Sequence, residues 1–346
     1  MDLLGGINKK IMAEEKKLNL EETIKQMNKK TPGSVMQGDS LIVSEDGIDF
    51  GSLGLNLALG LPNGVPKGKI IEVYGEYSSG KSTLAQTLIG NAQKQYGMKC
   101  LYLDFENSLS PEYLKSLNVN IEDLYILQLG EGGAEQMYDT MQTLVETGEI
   151  DVVCVDSTTA SHPSKVVYEG LTESTLGLHA KFLGRVIVKM NMLAKQYNTL
   201  FILIAQQRQA VGVIYGSPTV IPGGMAARYF AHIRLEVSRS VSKDNTIMDG
   251  DIKLGNKTTV KVIKNKLGCP FKQCSFNIIY GHGIDREQEI IDIAGDYLDE
   301  DVYKKYGNSV TYMGTKQKIE DFKQLLTDTP ELYEELKQKI LKTVNL

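Results

Sequence analysis

The chain is expected to fold as an α/β protein with a mostly parallel central sheet, an N-terminal helical arm and a small α-rich C-terminal domain. Three observations carry that expectation. Short β-rich runs alternate with helix-like stretches from about Gly51 to Tyr280. The first four runs are nearly unbroken apolar, as strands buried on both faces must be. A glycine-rich turn joins the first run to the first long helical stretch.

Residues 1–33 read as a charged, helix-prone arm. Leu20, Ile24 and Met27 fall on one helical face, and Thr31-Pro32-Gly33 ends the pattern. An amphipathic helix outside the main domain needs an apolar surface to cover, either its own core or a neighbouring subunit. The core is expected over residues 34–282. Its strands are Lys69–Tyr74, Leu101–Phe105, Asp151–Asp156, Thr199–Ala205, His232–Val237, Thr258–Ile263 and Cys274–Tyr280. Helices are expected over Ser82–Gln95, Ala134–Glu146 and Leu176–Gln196. The later strands follow one another without long helices, which predicts an antiparallel extension of the sheet. Residues 283–346 change character. Arg286–Asp299 and Lys316–Leu326 read as helices, and Thr329-Pro330-Glu331 starts another with Pro at the first helical position.

Composition bounds the function. The 346 residues are 42% hydrophobic, enough for a sizeable core and too many for a disordered chain. A net charge of -5 argues against a uniformly basic nucleic-acid coat but leaves room for a local basic groove. The N-terminus MDLLGGINKK has no signal-like apolar run, and no segment has the length of a membrane span. A cytoplasmic protein without a membrane partner is expected. Cys100, Cys154, Cys269 and Cys274 lack the spacing of a zinc site and read as reduced, mostly buried thiols.

The chemistry centres on Gly75-Glu76-Tyr77-Ser78-Ser79-Gly80-Lys81-Ser82, followed by Thr83, which matches the phosphate-binding loop G-x-x-x-x-G-K-[ST]. Its glycines let the backbone wrap phosphate oxygens, and the following helix N-terminus faces the anion. Lys81 is placed to reach the β- and γ-phosphates, and Ser82 to ligate Mg²⁺. The apolar strand ending in Asp156 fits a carboxylate that holds the same Mg²⁺ through water. Glu106, ending the intervening strand, either orients and deprotonates an attacking water or is a solvated strand-end acid. Tyr113 either stacks on a base or packs in the core. Gln206, just past the fourth strand, has the position of a γ-phosphate sensor. Lys165–Ser174 and the glycine- and proline-rich stretch from Gly212 to Gly224 read as functional loops at the same sheet edge. Lys264 and Lys266 share a strand face, either solvated or clamping an anion on another subunit.

These residues resemble the bacterial RecA recombinase family nearly end to end. The resemblance rests on Gly33-Ser-Val-Met36, Gly51-Ser-Leu-Gly-Leu-Asn-Leu-Ala-Leu-Gly60, the phosphate loop, Val155-Asp-Ser157 and Asn198-Thr-Leu200. It continues through Val262-Ile-Lys-Asn-Lys266, Pro270-Phe-Lys-Gln273 and Ile278-Ile-Tyr-Gly281. It implies a RecA-like P-loop NTPase core and a DNA-dependent ATPase that uses ATP and Mg²⁺. It further implies a helical filament that coats single-stranded DNA, takes up homologous double-stranded DNA and exchanges strands. By resemblance, Glu106 matches the catalytic glutamate, Asp156 the magnesium acid, Gln206 the nucleotide-sensing glutamine and Tyr113 the adenine-stacking tyrosine. Lys264 and Lys266 match a lysine pair acting across the subunit boundary. Val166–Glu173 and Gln207–Ile221 match two DNA-binding loops. Lys181, Arg208, Gly223 and Gly224 fall on DNA-contacting positions, and Tyr229 on an aromatic that couples protomers. The N-terminal arm matches a helix that docks on the next subunit.

The chain departs from the family pattern at Tyr77, Ser110, Ala205, Met225 and Lys181, and it ends Lys342-Thr-Val-Asn-Leu346 without an acidic tail. These departures mark a divergent member, of the kind a bacteriophage carries, in which case the compartment is the host cytoplasm. Two other classes share the phosphate loop: a regulatory switch oligomer without strand exchange, and a hexameric helicase motor.

Overall fold

A computed structural model describes residues 19–30, 35, 47–168, 177–209, 219–239 and 246–344. The chain divides into two units, Met1–Ser44 and Glu45–Leu346. In the first, helix α1 (Leu20–Lys30) carries Glu21 and Glu22 in its first turn and Lys29 and Lys30 in its last, each favourable to the helix dipole. The Asn28 side chain bonds the Val35 backbone in both directions, at 2.7 and 3.0 Å. Leu20 and Met27 of its apolar face are exposed.

The second unit is built on a ten-stranded sheet. Its leading elements are α2 (Leu53–Leu59), β1 (Ile70–Gly75), α3 (Lys81–Tyr96), β2 (Cys100–Asp104), α4 (Pro111–Ser116) and β3 (Leu124–Gln128). Then come α5 (Gly133–Glu146), β4 (Val152–Asp156), α6 (Ser164–Tyr168), α7 (Leu178–Tyr197) and β5 (Leu200–Gln206). A two-stranded ribbon, β6 (Arg208–Gln209) with β7 (Thr219–Val220), precedes α8 (Ala226–Phe230). The remaining strands of the sheet are β8 (Ile233–Arg239), β9 (Thr246–Asp249), β10 (Ile252–Asn265), β11 (Gln273–Ile279) and β12 (Gly283–Ile284). The main path runs β12-β11-β10-β8-β1-β5-β4-β2-β3, with β9 paired to β10.

Strands β1 to β5 pair in parallel, and β1, β2, β4 and most of β5 are fully buried, as their apolar runs require. One hydrophobic cluster fills the α3 face of the sheet and a second fills the α5–α7 face. The antiparallel extension begins one strand later than expected. β8 lies parallel to β1, with Glu72 beside Arg234, and only β10, β11, β12 and β9 run antiparallel. The buried Glu72–Arg234 ion pair locks that junction, with the guanidinium 4.7 Å above the Tyr74 ring.

Several elements had no expectation, β3 and α2 among them. β3 is a short strand of which only Leu124 is buried. In α2, leucines recur at every second residue like a strand, yet Ser52 caps a helix and Gly60, at φ 66°, stops it. The C-terminal helices α9 (Arg286–Tyr297), α10 (Ile319–Asp328) and α11 (Pro330–Thr343) occur where expected. Between them a three-stranded antiparallel sheet, β13 (Tyr303–Tyr306), β14 (Ser309–Tyr312) and β15 (Thr315–Lys318), was not anticipated. This region shares one hydrophobic cluster with Leu53 and Leu57 of α2. Glu289 of α9 accepts from Ser52 Oγ at 2.5 Å, Leu53 N–H at 3.0 Å and Gly54 N–H at 3.2 Å, closing the α2 N-terminus. Among the described residues no helix is long and apolar enough to cross a membrane. Cys100 and Cys154 are buried as expected, Cys274 partly so, and Cys269 is exposed.

Candidate active site

Parallel pairing brings the carboxyl ends of β1, β5, β4 and β2 to one edge. Gly75 lies beside Gln206, and Asp104 beside Asp156. From that edge the loop turns into α3. Gly75 admits no side chain, because a Cβ would lie 1.9 Å from the Val237 carbonyl oxygen. Gly80, at φ 99°, takes the left-handed conformation that starts α3. Among the described residues Ser79 Oγ is buried without a hydrogen-bond partner, a donor left for a ligand.

Lys81 Nζ donates to the Glu76 carbonyl at 2.7 Å. Burial pulls the Lys81 pKa down, while the carboxylates of Asp156 and Glu106 pull it up. Ser82 Oγ and Tyr102 OH both donate to Asp156 Oδ2, at 2.8 and 2.6 Å. Burial raises the Asp156 pKa against those two hydrogen bonds, so a cation at this carboxylate would be favoured. The peptide bond after Asp156 is cis. Ser157 Oγ and Gln206 Nε2 donate to the same oxygen of Glu106, at 2.5 and 2.8 Å. Thr159 Oγ1 lies 2.9 Å from Ser157 Oγ and accepts from the Gln206 backbone N–H at 3.2 Å. Glu106 is therefore fixed in place by hydrogen bonds from two neighbouring segments.

A cavity of about 260 Å³ adjoins the loop, lined on one side by Ser78 to Thr83 and Tyr113. Tyr113 is fixed by a 2.7 Å contact with Thr83 Oγ1 and by α4, whose cap Ser110 accepts from Tyr113 N–H at 3.2 Å. The opposite wall is Asn256, Ile278, Tyr280 and Gly281, for which the sequence reading had no role. Tyr280 OH donates to Asn256 Oδ1 at 3.0 Å. Tyr102, Ser157 and Thr159 were also missed. Hydroxyls in a strand and a turn carry no pattern that singles them out. Tyr77 is 78% exposed and contributes nothing to the cavity walls.

The structure gathers Gly75–Thr83, Glu106, Tyr113, Asp156 and Gln206 but not Lys264 and Lys266. Lys264 Nζ donates to the Arg228 and Tyr229 carbonyls at 2.8 and 2.9 Å, and Lys266 approaches Tyr229 O at 3.5 Å. Partial burial and the neighbouring Lys266 and Arg234 lower the Lys264 pKa. A bulge between Val262 and Lys264 interrupts the strand beside them. Of the DNA-contact candidates, Lys181 and Arg208 are exposed. Gly223 and Gly224, at φ 107° and 86°, press on the first turns of α7. A Cβ at Gly223 would lie 2.5 Å from Leu183 Cδ1, and one at Gly224 would lie 3.0 Å from Ala180 Cβ. Residues 169–176 and 210–218, most of the two expected loops, lie outside the described residues.

Comparison with known proteins agrees with this geometry. The model of the RecA N-terminal domain matches residues 18–285. Protein RecA of Caldanaerobacter subterraneus subsp. tengcongensis is 38% identical over 336 residues, covering 96% of this chain and 95% of that protein. Protein RecA of Clostridioides difficile is 37% identical over 317 residues, covering 91% and 88%. Protein RecA of Dichelobacter nodosus is 38% identical over 334 residues, covering 95% and 92%. Likeness of that extent, along the same residues that build the sheet edge and its phosphate loop, settles the matter of kinship: the chain belongs to the RecA family.

Proposed function

We propose that this chain hydrolyses ATP in the cavity beside Gly75–Ser82 and uses the nucleotide to control a helical filament on single-stranded DNA. As a RecA-family protein it is a DNA-dependent ATPase and a recombinase that pairs homologous DNA and exchanges strands. One observation carries the residue-level reading. Lys81, Ser82 with Asp156, and Glu106 with Gln206 converge on one sheet edge from four different segments.

The residues fit Mg²⁺ and ATP. Ser82 and Asp156 offer two oxygen ligands, which suits an ion that keeps waters and takes phosphate oxygens. Ser82 and Asp156 would hold the ion, which when bound would supply positive charge against the phosphates. Lys81 exchanges the Glu76 carbonyl for phosphate oxygens. Glu106 orients the attacking water and takes its proton. The Gln206 amide exchanges the Glu106 carboxylate for the γ-phosphate, and its strand leads directly into the Gln207–Ile221 loop. Tyr113 and the Tyr280–Gly281 wall hold the base. Lys264 and Lys266, apart from this cavity, reach the γ-phosphate of the next protomer.

Residues 1–33 form the arm that docks on that protomer, 34–282 the ATPase core and 283–346 the C-terminal domain. Lys181, Arg208, Gly223 and Gly224 line the DNA path, and the cytoplasm is the compartment. The test is a strand-exchange assay with ATP, paired with electron microscopy on single-stranded DNA. Joint molecules and helical filaments are expected. Closed rings would favour a helicase motor, and dispersed particles a switch.

A further inference from the structure

Two histidines lie where the stems of both DNA loops meet, and the activity described above does not use them. His162 precedes α6 and the first loop, while His179 stands in the first turn of α7, just after that loop. Their rings lie 4.6 Å apart, centroid to centroid. The stems of the second loop adjoin them. A Cβ at Gly223 would lie 3.7 Å from His179 Cε1, and the charge of Arg208 acts on His162.

His179 Nε2 lies 3.1 Å from the Thr158 carbonyl oxygen, an acceptor, so the imidazole is the donor. Ser161 Oγ, itself bonded by Tyr138 OH at 2.9 Å, donates to the same carbonyl at 2.9 Å. Thr158 is the middle residue of the turn whose flanking hydroxyls govern the active site. Ser157 bonds Glu106, and Thr159 accepts from the Gln206 backbone. On its other side Thr158 is tied to Ile204 of β5 through its N–H at 2.9 Å and its hydroxyl at 3.1 Å. A hydrogen-bonded path thus runs from α7 through one peptide unit to both residues that face the γ-phosphate. Burial pulls the His179 pKa down, with His162 adding to the effect, while its contacts with the Thr158 and Ser161 backbones oppose it.

We propose that His179 is a positioning residue for DNA-dependent ATP hydrolysis, fixing the Ser157–Thr159 turn from the DNA-facing side, with His162 packed against it to hold the ring. The proposal rests on the reading of Glu106 as the water-orienting base. Its consequence is a second link between the DNA loops and the active site, entering from α7 through the Ser157–Thr159 turn.

The test uses the full chain with saturating single-stranded DNA and a titration of ATP. His179→Ala is expected to lower kcat about tenfold, the rate equivalent of one hydrogen bond, with KM for ATP within about twofold of wild type. His179→Gln, whose amide reaches the Thr158 carbonyl, is expected to recover most of that loss. His179→Asn, which is too short, is expected to stay slow. Wild-type kcat in His179→Ala overturns the proposal. So does an equal loss in the Gln and Asn variants, which would mark a packing role and decides the matter even if the alanine variant does not fold. Glu106→Gln runs beside them. If it turns over normally, the reading of Glu106 falls. If it is inactive while His179→Ala is normal, only the role of His179 falls.

Discussion

Burial lowers the Lys81 pKa, and the carboxylates of Asp156 and Glu106 oppose that burial. Lys81 is therefore available to phosphate rather than committed to a permanent ion pair. Replacing it with alanine leaves the buried Ser79 hydroxyl and the glycine turn without their cation. ATP affinity is expected to fall about a hundredfold or more, read by titration calorimetry. Glu106→Gln keeps the side-chain shape and removes the proposed base. ATP binding is expected to persist while kcat falls about 10²- to 10⁴-fold in a steady-state assay. The phosphate loop was legible because its spacing is a chemical requirement, and Asp156 because it ends an apolar strand beside it. Glu106 was ambiguous in sequence, since an acid at a strand end has no signature. Only the convergence of Ser157 and Gln206 on one of its oxygens separates it from a solvated residue.

At the scale of elements, buried parallel strands were read nearly in full, because runs such as Asp151–Asp156 have one physical explanation. What escaped were elements whose burial is one-sided or imposed by neighbours. β3 buries only Leu124, and α2 hides Leu53 and Leu57 in the C-terminal cluster but Leu55 and Leu59 in the core of the main sheet. The parallel placement of β8 was invisible for another reason. The crossover that carries the chain there includes the short α8, so no long helix announces it. The α2–α9 junction makes its own prediction. Burial raises the Glu289 pKa from 4.5 to about 7 despite three donors. The folded chain then binds this proton more tightly than the unfolded chain. Stability from this group is full below pH 4.5 and is lost as pH rises towards 7, by about 3 kcal/mol in all. Thermal melts of wild type and Glu289→Gln across pH 5 to 7.5 check this: the wild-type Tm is expected to fall relative to the variant as pH rises.

For the whole molecule, the cavity beside the phosphate loop has Lys81 as the lysine on its wall. Lys264 and Lys266 instead rest against backbone carbonyls at the end of α8, next to the exposed Tyr229. Lys264→Ala is expected to keep the wild-type melting profile and nucleotide binding, and to lose stimulation of ATP hydrolysis by single-stranded DNA. Retained stimulation would leave the lysines as helix-end caps only. The exposed Leu20 and Met27 of α1 were legible as an unpartnered stripe, while the partner itself could come only from resemblance.

Strand β10 gives the assembly a further property. It spans 14 residues, roughly 46 Å at strand rise, with Asn256 on the wall of its own pocket and Lys264 near the far end. On the proposed reading, one strand then serves two nucleotide sites, and the halves of one catalytic centre come from different molecules. Two inactive proteins should accordingly rescue each other. In a mixed filament a Lys264→Ala protomer brings an intact Glu106, and its Glu106→Gln neighbour brings intact lysines. Equal mixing restores a working centre at roughly one junction in four. Turnover from two separately silent preparations is the expected result, and continued silence of the mixture would mean that each pocket is whole within its own chain.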